Sequence, residues 1–529
     1  MLKLQEKSLK WALKSIQKHF DTYVFPMPFE YEAINAFQNE VIDHLRGIDI
    51  LNEGIRDYRT ALTPKSALGF RICTQLDPLD SIISHAIIYE IADEIERARL
   101  PKAQEQVFSF RLFPQEDGTM YDPDYDWNTY LNKANRIIEQ EDYSYVLVTD
   151  ISDFYPSIYL HNIETSLFEA VRASGRSSHV QVLINYLKAM HLNQTHKGIP
   201  VGPQFSRPIA ELVLDDIDRQ LVSNDIYFIR FVDDYLLFAK SEIEAYRNLA
   251  FLAQVLYDNR NLKLNEKKTE ILTTEQFKKK FLKKNTDIER ESIVNNLNDL
   301  LEEMGISTDP YEDIDLDDLD DASLEKIKAL NLELILNTEL EKKEPDLSLL
   351  SFLIANFARI DNTNVAQIIL DDENICKLFP KLRTIINYLE RVRSFSNKQK
   401  LEIGDKVLNL VTSSFIGQLE FNRMWFLNLF SKSTEWDHET KFEELLRKYN
   451  DPLTKRELLL ALGRASNIRF YRANKNSSLD DNCWTRRAFI AGISCLPEPE
   501  RTPWFKARSL RSRDFLDRIL EKWVEKNHF

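Results

Sequence analysis

Residues 230–239 read RFVDDYLLFA. Two adjacent aspartates, Asp233 and Asp234, stand between apolar runs. Carboxylates are rarely buried unless they are paired or hold a cation, so the pair needs a reason. In the longer stretch IYFIRFVDDYLLFAK (226–240), two short apolar strands flank the aspartates. That pattern predicts a hairpin with the two carboxylates at its turn.

Upstream, YSYVLVTDISDFYPSI (143–158) is rich in β-branched and aromatic residues and runs into Asp150, like a strand ending in a functional turn. RPIAELVLDDIDRQL (207–221), between the two, reads as a helix. DPLDSIISHAIIYEIADEIERARLP (77–101) reads as another. In it Asp77 is the N-cap, Pro78 lies in the first turn and Pro101 is the stop. Most of the first hundred residues read as helical.

Nucleotidyl transfer needs two divalent cations close together, and hard cations take oxygen ligands. Two aspartates at a tight turn and a third at a neighbouring strand end supply such a set. Asp150, Asp233 and Asp234 therefore point to two magnesium ions, with manganese as the alternative. Aspartate is also a common turn former, so the residues alone leave an ordinary turn open.

The chain has 529 residues, which predicts two to four domains. Only 12 are glycine, and the bulk reads as helical. A net charge of −15 argues against a generally basic nucleic-acid-binding surface and leaves room for a local basic channel. Cys73, Cys376, Cys483 and Cys495 are far apart, the pattern of reduced thiols in a cytoplasmic protein. The opening MLKLQEKSLKWALKSIQKHF reads as an amphipathic helix rather than a signal peptide. No apolar run reaches the roughly 18 residues of a membrane span.

Beyond about residue 282 the strand signal fades. FKKKFLKKNTD (277–287) is basic and DPYEDIDLDDLDDASLE (309–325) is acidic. Asp313, Asp315 and Asp317 alternate as in a calcium loop, but Asp318 and Leu324 occupy the sixth and twelfth positions, so a solvated linker is expected. Amphipathic helical segments then follow one another, such as SLLSFLIANFARI (348–360), FPKLRTIINYLERVRS (379–394) and CWTRRAFIAGISCLP (483–497). No strict period is visible. In residues 494–516, Trp504 and Phe505 stand among arginines and lysines. This suits single-stranded nucleic acid, and equally a solvated helix edge with two core rings.

TDISDFYPSI (149–158), GIPVGPQFSRP (198–208), FVDDYLLF (231–238) and LNEKKT (264–269) together resemble the consecutive palm motifs of reverse transcriptases. The likeness covers about residues 60–275. KSALGFRICTQLDPLDSIISHAIIYEI (65–91) and VFSFR (107–111) resemble fingers segments of the retron and group II intron type. With its long helical second half, the chain looks most like bacterial abortive-infection and defence-associated reverse transcriptases.

The resemblance implies an α+β fold, a right hand of fingers and an antiparallel palm sheet, then an all-α, HEAT-like repeat domain in place of a thumb. Expected divisions are 1–140 (N-terminal helices and fingers), 141–280 (palm), 281–322 (linker) and 323–529 (helical repeats). By matched position, Asp150, Asp233, Asp234 and the backbone carbonyl of Ile151 would hold the metals. Lys268 would meet the leaving pyrophosphate. Tyr155 would be the gate against a 2′-hydroxyl. Lys65 and Arg71 would grip the triphosphate, with Arg111 bracing the fingers. Gly198, Pro200, Val201 and Gly202 would form the turn beneath the nucleotide. Two positions depart from the usual pattern: Val201 replaces a common glutamine, and Phe231 replaces the tyrosine before the aspartate pair.

The implied function is DNA synthesis from dNTPs in antiphage defence, protein-primed and template-independent. It yields single-stranded DNA attached to the protein, with Tyr23 or Tyr31 as the expected attachment site, in a homo-oligomer. The alternatives are a reverse transcriptase copying a partner non-coding RNA, and a helical-repeat scaffold with a vestigial polymerase domain.

Overall fold

A computed structural model describes residues 1–190, 197–282, 332–475, 482–509, 514–527 and 529. The acidic run with Asp313, Asp315 and Asp317, and nearly all of the expected linker, lie outside the described residues, as do 510–513 of the basic C-terminal stretch.

Six strands are described: β1 Arg59–Pro64, β2 Phe70–Gln75, β3 Tyr145–Asp150, β4 Phe228–Phe231, β5 Asp234–Ala239 and β6 Glu270–Thr273. They form an antiparallel β1–β2 hairpin and a four-stranded antiparallel sheet in the order β4-β5-β3-β6. The chain divides into two compact units.

The first unit comprises Met1–Thr22, Ile42–Arg56 and Asp80–Asp313, and holds the four-stranded sheet. β4 and β5 are joined at Val232 and Asp233, as the run around the aspartate pair predicts. β4 is buried throughout, and so is β5 after Asp234. Buried strands of this kind read as continuous apolar runs rather than alternation. The helix Glu242–Arg260 packs on β3 and β5. Ser241 caps its start by accepting from the Glu244 N–H, and Asn261 ends it in the left-handed conformation at φ 54°. The helix Ser206–Ser223 covers the sequence read as helical between the strands. The N-terminal helix runs Glu6–His19.

The second unit comprises Tyr23–Val41, Asp57–Leu79 and Ile314–Phe529. Its helices Leu347–Arg359, Leu382–Arg391, Glu420–Lys432, Pro452–Arg464, Cys483–Gly492 and Phe515–Lys526 pack each against the next, a helical-repeat arrangement. The β1–β2 hairpin belongs here and was not foreseen in a region read as mostly helical. Its base is pinned by Arg59, whose guanidinium lies 4.4 Å from the Trp484 ring centroid. The Trp484 indole N–H donates to the Asp57 carbonyl at 2.9 Å. Arg456 forms a buried ion pair with Glu30 at 2.6 Å. Burial alone would raise the Glu30 carboxyl, but Arg456 outweighs it and holds the group below its ordinary range.

The helix predicted over 77–101 runs Pro78–Ala98, with Asp77 accepting from the Leu79 N–H at 2.9 Å. No described helix is long and apolar enough to cross a membrane. All four cysteines are free.

Candidate active site

The site is built where two strand ends meet. β3 ends at Asp150, and β5 begins at Asp234 directly opposite it in the antiparallel register. Asp233 lies in the turn before β5, and its carbonyl accepts from the Ile151 N–H at 3.2 Å. The adjacent pair Asp233 and Asp234 and the sequence-distant Asp150 thus share one end of the sheet.

Lys268 reaches the same place along a short docked loop. The Asn265 N–H donates to the Asp150 carbonyl at 2.9 Å, and Thr149 and Thr269 share a hydroxyl hydrogen bond at 2.7 Å. The three residues Glu266–Lys268 form a 3-10 turn capped by Asn265. From it the Lys268 ammonium donates to Asp150 Oδ2 at 2.5 Å. Burial alone would lower the Lys268 ammonium. The hydrogen bond and charge of Asp150, with Asp234 and Asp233 beyond, outweigh it and hold the group above its ordinary range.

The carboxylates are short of positive charge. Burial, then the charge of Asp234 and that of Asp150, push the Asp233 carboxyl up to about 7. Asp150 Oδ1 is buried with no hydrogen-bond partner among the described residues. A buried carboxylate oxygen without a donor is costly, and a hard cation is a chemically suitable partner. The donor set therefore fits a divalent ion. It is not a ready cage: among the described residues no three such ligands converge closely enough.

The hairpin turn is held from below. Val232 has φ +54°, an unusual backbone for a β-branched residue. Its N–H donates to Ser109 Oγ at 2.8 Å, and its carbonyl accepts from Arg230 Nη1 at 2.7 Å. Sequence reading passed over Ser109 and Arg230, although both stand inside quoted motifs.

The nucleotide turn lies beside Tyr155. The Gly198 N–H donates to the Ile158 carbonyl at 2.7 Å, and the Ile199 N–H to the Tyr155 carbonyl at 2.8 Å. Gly198 and Gly202 have φ 101° and 127°, which glycine adopts freely. Pro200 and Val201 are half-buried between them. Tyr155 is half-buried, and desolvation pushes its phenol above the ordinary range.

Lys65 and Arg71 belong to the second unit. Both are exposed, Arg71 on β2 and Lys65 at the hairpin connection, where its N–H donates to the Gly69 carbonyl at 2.8 Å. Arg111 is buried and pairs with Glu96 at 3.0 Å in the first unit. Tyr31 is buried in the second unit; Tyr23 is half-buried there, its ring 5.3 Å from the Arg383 guanidinium. Phe505 is buried, and the Trp504 indole donates to the Lys475 carbonyl at 2.8 Å.

A search among curated proteins finds no match. Among solved structures the chain is similar to telomerase from Candida albicans in complex with a fragment of telomeric RNA, at 10% identity and a TM-score of 0.31, covering 80% of this chain and 72% of that one. It is similar to apo telomerase from Candida tropicalis at 9% identity and a TM-score of 0.32, covering 92% and 73%. Residues 69–289 match the family described as reverse transcriptase (RNA-dependent DNA polymerase). That segment contains every residue of the strand-end site, and it is a reverse transcriptase domain, a nucleotidyltransferase of the RNA-directed DNA polymerase type.

Proposed function

We propose that the chain is an active DNA polymerase in which Asp150, Asp233 and Asp234, with the Ile151 carbonyl, hold two magnesium ions. The observation that carries this reading is the meeting of Asp150 and Asp234 in register, beside a protonated Lys268 and an unpartnered Asp150 Oδ1. When bound, the ions acidify the attacking hydroxyl and neutralise charge on the transferred phosphoryl. Lys268 keeps its proton and donates to the leaving pyrophosphate. The Gly198–Gly202 turn, with Pro200 and Val201, lets the nucleotide approach the backbone. The Tyr155 ring excludes a 2′-hydroxyl. Lys65 and Arg71, exposed on their hairpin, bind triphosphate; Arg is suited to bidentate contact and Lys to a point charge.

The test is incorporation of labelled dNTPs with magnesium. The Asp233→Ala/Asp234→Ala variant should lose at least about 10²–10³-fold in rate, the scale of one lost preorganised charge contact. Incorporation near the wild-type rate would refute the reading and favour a scaffold. Tyr155→Ala should admit ribonucleotides, since a steric gate is worth about 1–3 kcal/mol of discrimination. A wild type that already uses rNTPs and dNTPs alike would remove the gate.

The finer proposal is antiphage defence by protein-primed, template-independent synthesis in a cytoplasmic homo-oligomer, with the 141–280 palm followed by a helical domain from about 323. The sequence resemblance to abortive-infection enzymes supports it, as does a net charge of −15, ill suited to clamping a long duplex. Tyr23 is favoured over the buried Tyr31 as the attachment residue. Mass spectrometry after nuclease and protease digestion should find a nucleotidylated peptide. Synthesis only with added RNA, or DNA that separates from denatured protein, would favour the RNA-copying alternative.

A further inference from the structure

The turn that carries Asp233 and Asp234 is held in a conformation its own sequence disfavours. Two-residue hairpin turns of the common types need positive φ, which Asn, Asp and Gly accept most readily. Val232 takes φ +54° with a branched Cβ instead. Such strain persists only where the surroundings over-determine it.

The surroundings here are three side chains from three segments. Ser109 Oγ accepts from the Val232 N–H at 2.8 Å and donates to Glu211 Oε1 at 2.6 Å. Arg230 Nη1 donates to the Val232 carbonyl at 2.7 Å and to Glu211 Oε2 at 2.9 Å. Glu211, on the helix Ser206–Ser223, therefore orients both groups that hold Val232. Arg99 completes Glu211 with a further bond at 2.9 Å. Asp218 fixes the guanidinium from the far side, accepting from Arg230 Nε at 3.0 Å and from Nη2 at 2.6 Å. The Arg230 backbone is itself fixed, its N–H to the Gln106 carbonyl at 2.7 Å and its carbonyl to the Phe108 N–H at 3.0 Å. Ser109, Glu211 and Arg230 are fully buried.

Two arginines face two carboxylates, so the cluster balances its own charge and calls for no ligand. An ordinary buried ion pair would end there. This one ends on both polar backbone groups of the residue before Asp233. We propose that Ser109, Glu211 and Arg230 are positioning residues that hold Val232 in its left-handed conformation and so aim Asp233 and Asp234. The proposal rests on the polymerase reading of those two aspartates.

The experiment is a double-mutant cycle between Ser109→Ala and Val232→Gly. Glycine accepts positive φ without strain, so it removes the need for the clamp. Ser109→Ala should lower kcat for dNTP incorporation by about 10- to 100-fold, the scale of a small misplacement of reacting groups. The KM for dNTP should stay within about twofold, because uniform binding is untouched. In the V232G background the same Ser109→Ala change should cost under about threefold. An equal loss in both backgrounds, or no loss in S109A, overturns the proposal. The cycle is also read in melting temperature, where the two changes should be non-additive; additive shifts overturn the clamp whatever the activity. Should S109A not fold, Arg230→Lys takes its place in the cycle. A wild type that incorporates no nucleotide would fail the polymerase reading while the melting cycle still judges the clamp.

Discussion

Both units bury arginines among carboxylates, and Arg230 and Arg487 make the comparison. In the first, Arg230 meets Asp218 at 2.6 Å and Glu211 at 2.9 Å. In the second, Arg487 meets Asp77 at 2.6 Å, Asp517 at 3.2 Å and Asp514 at 3.2 Å, and Arg486 adds a contact to Asp517 at 2.7 Å. Burial alone would lower either guanidinium, and in both the carboxylates outweigh it and hold the group well above its ordinary range. The chemistry is the same and the ends differ. Arg487 ties Asp77 to the helix Phe515–Lys526 across some four hundred positions of sequence and stops there. Arg230 goes on to a strained backbone beside an aspartate whose carboxyl is pushed up to about 7. A buried ion cluster can serve as a fastener alone, or as the footing for a site short of positive charge.

The largest effect expected from this contrast is on stability. Arg487→Leu leaves the buried Asp77 without its cation, and Asp514 and Asp517 with Arg486 alone. Removing one partner of a buried pair typically costs about 3–5 kcal/mol. Ser109→Ala strands the Val232 N–H and one bond to Glu211, which keeps both of its arginines, and should cost about 1–3 kcal/mol. Denaturant unfolding of both variants measures the difference. If Arg487→Leu is the milder change, the fastener reading of the second cluster is wrong.

His85 sharpens the comparison, because it is a buried base without a carboxylate partner. Its Nδ1–H donates to the Ser81 carbonyl at 2.7 Å, and Nε2 has no hydrogen-bond partner among the described residues. Burial, opposed by the Ser81 carbonyl and aided by His19, lowers its pKa from 6.5 to about 4. The unfolded chain therefore takes up a proton first as pH falls. The stability contribution is complete above about pH 6.5 and is lost towards pH 4, at up to about 1.4 kcal/mol per pH unit. His85→Gln should flatten the slope of unfolding free energy between pH 7 and 5 relative to wild type. An unchanged slope would mean that His85 is not the group responsible.

The palm was legible because its signals are local. IYFIRFVDDYLLFAK carries both strands of the hairpin and its turn, and YVLVTD carries the strand that pairs with it. The β1–β2 hairpin was not legible, because Phe70, Arg71 and Ile72 are all exposed and break the alternation that marks a half-buried strand. What fixes its base, Trp484, lies some four hundred residues later. The helical repeats were legible one by one but not as a period. Successive packed helices begin at residues 347, 382, 420, 452, 483 and 515, an interval that drifts between 31 and 38. The clamp on Val232 was hidden for a different reason. Glu211 looks like one more acid on an amphipathic helix, and in SFR the eye goes to Arg111, which instead pairs with Glu96. Only the fold brings Ser109, Glu211 and Arg230 together.

The smallest effect separates a footing from what stands on it. If the strand-end carboxylates repel one another, neutralising one should relieve the others. Asp234 is the first charge after burial in raising the Asp233 carboxyl. Asp234→Asn keeps the size of the side chain and removes that charge, so with EDTA present the variant should unfold later than wild type. Relief of an active-site liability commonly yields about 1 kcal/mol. Magnesium should then reverse the order. A ligand that binds only the folded state stabilises it in proportion to its occupancy, and the wild type binds better. The wild-type melting temperature should therefore rise with magnesium while that of Asp234→Asn rises less. Melting curves in EDTA and across a magnesium series decide it. A variant that melts below wild type in EDTA would make Asp234 a structural residue, and the strand-end site would then resemble the Arg487 fastener rather than differ from it.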